Sequence, residues 1–171
     1  YHAGDLAAIP QNKYKRGAAS ANWQIVEEIE VRKNEERTAN KDGLEALNNG
    51  ATSLCFQGEI GNLHILLENI LIEHITVYFK PASGHRELLN SFLALARERK
   101  LNPAKLNGGI LYDPIGSLAI TGKWNTSEEA DLSKTADLVK SVAGNFPHFQ
   151  VINISGDVYH NAGASPFQEI A

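Results

Sequence analysis

The chain has 171 residues, is 43% hydrophobic and 21% charged, and carries a formal net charge of −4. That is an ordinary globular composition, enough to bury one core, and it has no basic face, RGG tract or Lys/Arg run of the kind that binds nucleic acid. The longest apolar stretch, around Ile65 to Ile72, is broken by Glu68, Asn69 and Glu73, so no membrane span is predicted.

Residues 1–22 read as an extended N-terminal arm, with Gly4, Pro10, the basic cluster Lys13 to Arg16, and Gly17 to Ser20. The chain begins at Tyr1 and contains no Met, so it is expected to be a piece of a longer translation product. A first strand is predicted over Trp23–Ile29, and a helix over Asn34–Asn49 ending at Gly50. A second strand, Thr52–Phe56, runs into Gln57-Gly58-Glu59-Ile60-Gly61, and a short helix covers Asn62–Ile70. His74–Phe79, β-branched and aromatic, is a third strand. His85–Lys100 is a helix with an apolar stripe of Leu88, Leu89, Phe92, Leu93, Leu95 and Ala96. A fourth strand, Leu106–Tyr112, has glycines that imply close backbone packing, and it exits through a loop, Asp113 to Gly116. A long loop carries Trp124. A capping box, Thr126 to Glu129, then opens a helix whose buried face is expected to be Leu132, Ala136, Val139 and Ala143.

Gln150–Ile154 reads as a buried fifth strand, delivering Asp157, Tyr159 and His160 into a loop. Ser165, Pro166 and Gln168 form a helix start with a capping box. Only six residues of that helix precede the end of the sequence, which implies a cut inside an element. Strictly alternating strands and helices predict an α/β fold with a parallel sheet and right-handed crossovers. Two architectures fit: an open doubly wound sheet, or the first five of eight units of a (β/α)8 TIM-type barrel, which needs roughly 250 residues. The missing nucleotide-binding fingerprints and the cut helix favour the barrel, with residues 23–171 as its N-terminal portion.

At the carboxyl ends of the predicted strands stand Gln57, Glu59, Lys80, His85, Asp113, Asp157, Tyr159 and His160. Asp113, Asp157 and His160 could form a metal site or an acid/base pair, as in a metal-dependent lyase or hydrolase. Against this, Asp113 before Pro114 is a common turn residue, and Asp157 after Gly156 could also serve a turn. The other histidines form no ligand spacing. Cys55, the single cysteine, reads as a small buried hydrophobe, and its lack of a disulfide partner suits a reducing, cytoplasmic compartment.

Several segments carry a family resemblance. They are Arg16-Gly17 before Trp23, Gly50 to Leu54, Leu106-Asn107-Gly108 leading to Asp113, and above all Ile152-Asn153-Ile154-Ser155-Gly156 followed by Ala162-Gly163-Ala164 and Glu169. Together these resemble the barrel domain of the methylmalonyl-CoA mutase family. The resemblance implies a (β/α)8 barrel that threads an acyl-CoA along its axis, and a separate adenosylcobalamin-binding domain. No cofactor is expected on the present chain. In catalytic members, the motif Ser-Gly-Tyr-His-x-x-Glu-Ala-Gly-Ala supplies a His to the thioester carbonyl, and Gln-Asn-Asp ends the fourth strand. Here Val158 stands where the His belongs, with His160 two residues on, and Leu111-Tyr112-Asp113 replaces Gln-Asn-Asp. The carboxylate-clamping Arg falls near Thr121, and the Tyr-containing loop is Ala18 to Asn22.

A Val has no donor for a thioester oxygen, and a Leu does not orient a carboxylate. No catalytic residue is therefore assigned. The resemblance is greatest to the family's small, non-catalytic subunit, whose partner in a heterodimer is a catalytic large subunit. Tyr112, Asp113, Asp157, Tyr159, His160 and Asn161 are expected to line the pocket. The alternatives are a competent acyl-CoA mutase relative that uses His160, the metal-dependent enzyme above, and an interaction scaffold without a ligand.

Overall fold

The computed structural model describes residues 24–144 and 146–170. The N-terminal arm, its basic cluster and Trp23 lie outside these residues. The elements run β1 (Val26–Val31), α1 (Glu36–Asn48), β2 (Ser53–Gly58), α2 (Leu63–Leu66), β3 (Thr76–Pro81), α3 (His85–Glu98), β4 (Gly108–Ile110), α4 (Pro114–Thr121), α5 (Glu128–Val142), β5 (Phe149–Gln150), α6 (Asp157–Asn161) and α7 (Pro166–Ile170). The five strands form one sheet in the order β1-β2-β3-β4-β5, and every pairing is parallel. The order follows the sequence without the reversal that defines a doubly wound sheet.

The period of two along each strand separates two faces. Ile29, Val31, Leu54, Phe56, Val77, Phe79 and Ile110 are buried and belong to the hydrophobic core. Register places Ile29, Phe56, Phe79 and Ile110 side by side across four strands. The core continues into the helices: Phe79 packs edge-on against Phe92 of α3, and Phe92 stacks on Phe149 of β5. Side-chain bonds to backbone carbonyls tie the helical layer together. Asn40 of α1 donates to Leu66 O and Glu68 O, and the Arg99 guanidinium donates to Leu67 O and Ile70 O. On the opposite face, the row Glu28, Cys55, Tyr78, Gly109 and Gln150 runs across all five strands.

The β4 glycines are required. Gly108 has a φ of 131°, and a Cβ there would overlap the Val77 carbonyl; a Cβ on Gly109 would overlap that of Gln150.

Three expectations are corrected. The segment after Asp113 is not a loop but α4, with the Asp113 side chain accepting from the Gly116 N–H and Pro114 at the first turn. The short run Pro-Ile-Gly-Ser-Leu-Ala-Ile-Thr lacks a clear polar face, so periodicity did not announce it. The buried face of α5 is Asp131, Leu138 and Val142, whereas Leu132 is 45% exposed and Val139 is also exposed. That face is rotated because Asp131 is drawn inward by hydrogen bonds. The fifth strand is shorter than expected: only Phe149–Gln150 is ladder-paired, and Ile152 and Ile154 are exposed. Beyond β5 the Asn153 N–H donates to Tyr112 O, two residues past the end of β4.

Candidate functional site

The site is the open face of the sheet toward its carboxyl end. A groove of about 350 Å³ is lined by Val26, Glu28, Cys55, Tyr78, Lys80, Leu111, Gln150 and Asn153. Lys80 leaves β3 one pleat beyond Tyr78. Its Nζ lies 2.8 Å from Glu28 Oε1 on β1, so the ion pair spans β2. The hydrogen bond to Glu28 is the main reason that the Lys80 ammonium is held above the usual lysine range, with the charge of Asp157 adding to it. Beneath the pair, burial raises the Cys55 thiol; Lys80 opposes that shift and Glu28 adds to it. Cys55 is thus the small buried hydrophobe expected of it rather than a thiolate nucleophile.

The predicted pocket residues divide. Leu111 lines the groove. Tyr112, one residue on, faces the other way. It is 3% exposed and sits among the helices, so the expectation that it lines the pocket is corrected. Its hydroxyl donates to Asp131 Oδ1 at 3.1 Å, and Asp131 Oδ2 also accepts from the Asn125 and Thr126 N–H groups. Burial, followed by the Asp131 carboxylate, pushes the Tyr112 phenol up. Lys134 Nζ lies 4.6 Å over the Tyr112 ring, and the His85 ring meets it edge-on at 4.7 Å. His85, the first residue of α3, therefore belongs to the helical layer and not to the strand-end site. It is 8% exposed, its Nδ1 has no hydrogen-bond partner among the described residues, and burial lowers its pKa to about 4.

Asp113 is a clamp. Oδ1 accepts from Gly116 N–H at 2.7 Å, and Oδ2 accepts from Ser155 N–H at 3.0 Å. The side chain leaves no room for a Cβ on Gly116. It thereby joins the start of α4 to the segment after β5. Both carboxylate oxygens are engaged by backbone N–H groups, so Asp113 is the N-cap of α4 rather than the turn residue expected.

Asp157, Val158, Tyr159, His160 and Asn161 do not form the expected loop. They are the short helix α6, with Asp157 in its first turn and His160 in its last. Asp157, His160 and Asn161 are exposed, while Val158 and Tyr159 are half-buried. Asp157 accepts from Ser155 Oγ at 3.2 Å. Among the described residues, no three His, Cys, Asp or Glu side chains come together as a metal site, so Asp113, Asp157 and His160 do not assemble one. Gln57 is half-buried at the end of β2, and Glu59 is exposed just beyond it.

Glu28 is the site residue that strand-end reasoning missed. It lies mid-strand on β1 and reaches the site only through the length of Lys80. The pair joins strands two apart in the sheet, β1 and β3, so adjacent-strand pairing gave no signal for it.

Comparison with known proteins places this geometry. The profile of the family described as Methylmalonyl-CoA mutase matches residues 58–171. The chain is 31% identical over 150 residues to the methylmalonyl-CoA mutase small subunit of Propionibacterium freudenreichii subsp. shermanii, covering 80% of this chain and 22% of that one. It is 28% identical over 154 residues to the small subunit of Porphyromonas gingivalis, covering 86% and 24%. It is 26% identical over 125 residues to the methylmalonyl-CoA mutase of Rhizobium meliloti, covering 67% and 18%. The chain spans about a fifth of the length of these relatives. The profile match covers two-thirds of the sequence and includes the last three strands, with Lys80 and Leu111 of the candidate site, and on that ground the chain belongs to the methylmalonyl-CoA mutase family.

Proposed function

We propose that this chain is the N-terminal part of a (β/α)8 barrel from a mutase small subunit, and that it supports a catalytic large subunit rather than performing the rearrangement of methylmalonyl-CoA to succinyl-CoA. The observation that carries this reading is Leu111. It lines the open groove at the end of β4, where the resemblance calls for a Gln, and it offers no hydrogen bond to a polar acyl group. Val158 at the position of the family's His points the same way. The small-subunit names of two relatives support the subunit assignment. The sequential strand order supports the barrel: right-handed crossovers that always advance in one direction put every helix on one side and leave the other face to become an interior. In this reading residues 1–22 are an arm outside the barrel, and the protein works in the cytoplasm.

The family's adenosylcobalamin does not fit the residues described here. The groove holds about 350 Å³, the low end of small-molecule sites and far too little for a corrinoid, and its lining residues include no His to ligate cobalt. Among the described residues, no helix is long and apolar enough to cross a membrane.

Affinity-tagged full-length protein, expressed with a homologous large subunit, tests the proposal. Stoichiometric co-purification is expected, together with no turnover of methylmalonyl-CoA by the tagged protein alone in the presence of adenosylcobalamin. Turnover by the isolated protein would overturn it and favour a competent mutase.

A further inference from the structure

We propose that Lys80 is a carboxylate-binding residue on the open face of the sheet, and that Glu28 acts as a built-in occupant that keeps it closed to external carboxylates. Among the described residues lining the groove, Lys80 is the one cation. Around it stand a phenol (Tyr78) and two carboxamides (Gln150 and Asn153), all able to donate hydrogen bonds. A lysine among neutral donors in a groove of about 350 Å³ is chemistry suited to a small carboxylate. The group found on the ammonium, 2.8 Å away, is itself a carboxylate, that of Glu28.

Glu28 reaches Lys80 from two strands away. Direct neighbours across the β1/β2 and β2/β3 ladders are Glu28, Cys55 and Tyr78, while Lys80 is two residues beyond Tyr78 on β3. The pair therefore lies over β2 and crosses the groove. A tethered carboxylate competes with any dissolved one without the translational cost that the latter bears on binding. Asp157 also contributes negative potential at Lys80. The Glu28 carboxylate on Lys80 neutralises the ammonium, and the more distant Asp157 adds negative potential, so little attraction for an external anion remains. Removing the Glu28 charge leaves a cation in a small, donor-lined groove.

The inference stands on the groove and does not need the supporting-subunit reading; co-purification with a large subunit is indifferent to it. Malonate is the probe, titrated calorimetrically at low ionic strength into the full-length wild-type protein, Glu28→Gln, and the double variant Glu28→Gln/Lys80→Gln. Glu28→Gln is expected to bind malonate about tenfold or more tightly than wild type, and the added Lys80→Gln change is expected to abolish that gain. Equal affinity in wild type and Glu28→Gln, no binding by folded Glu28→Gln, or binding that survives Lys80→Gln would each overturn the proposal. Glu28 is exposed, so its replacement leaves the core untouched; if Glu28→Gln does not fold, Glu28→Ser carries the same test.

Discussion

Asp113, His85 and Gly108 each do something a strand-end residue list does not reveal. Asp113 joins two backbone segments, and replacing it with Ala leaves the Gly116 and Ser155 N–H groups without their acceptor. A loss of about 2 kcal/mol is expected, read as a shift in urea midpoint; Asp113→Asn, which keeps one carbonyl acceptor, should lose less. His85 is buried neutral, with a pKa near 4 against an ordinary value of 6.5, the desolvation of its ring being the main cause and Lys134 the second. Its folded pKa is depressed, so its contribution is complete above pH 6.5 and declines as the pH falls toward 4, because the unfolded chain takes up the proton first. The loss across that window is on the order of 3 kcal/mol. Urea unfolding at several pH values checks it, and His85→Phe should flatten that portion of the profile. Gly108→Ala combines a φ of 131° with a clash against the Val77 carbonyl, and a loss of about 3 kcal/mol or more is expected.

At the level of elements, α5 separates pattern from packing. Its apolar residues suggested a stripe through Leu132 and Val139, yet the face that packs contains Leu138 and Val142 and brings in Asp131. Three hydrogen bonds to the Asp131 carboxylate set that rotation. Leu138→Ala should therefore cost about 3 kcal/mol, while Leu132→Ala should stay within about 0.5 kcal/mol, both measured by thermal or urea unfolding; equal costs would contradict the rotation. The capping boxes show a similar limit. The residue that caps α5 is Ser127, through Ala130 N–H, one position after the expected Thr126, which puts Ala130 rather than Glu129 at the third helical position. At Ser165 it is Gln168 that makes the return bond, accepting from the Ser165 N–H. The helix start signals were legible because they are local. Which face a helix turns inward was not, because a buried carboxylate bound to Tyr112 outweighs a difference of one or two apolar residues.

The whole sheet ends in β1 and β5, and among the described residues neither has a partner on its outer side. Ile152 and Ile154 beyond β5, and Ile25 before β1, are exposed at those margins. Unpaired edges with apolar flanks promote association. The isolated 171-residue polypeptide is accordingly expected to self-associate in light scattering as concentration rises. A full-length protein with a closed barrel should not; monodisperse, concentration-independent behaviour of the isolated polypeptide would argue that the edges are covered within it.

What the sequence by itself determined is the alternation of strands and helices, the parallel α/β class, the approximate starts of α1, α2, α3, α5 and α7, and the family, since each rests on local spacing or on motifs read in order. Strand order, the opposite facing of Leu111 and Tyr112, the Asp113 clamp and the Glu28–Lys80 pair were decided only by tertiary structure. Each depends on groups separated by many residues in the chain: Asp113 meets Ser155 42 residues away, and Lys80 meets Glu28 52 residues away. Such contacts arise from sheet register and from the reach of a side chain over a neighbouring strand, and a one-dimensional pattern carries no record of either.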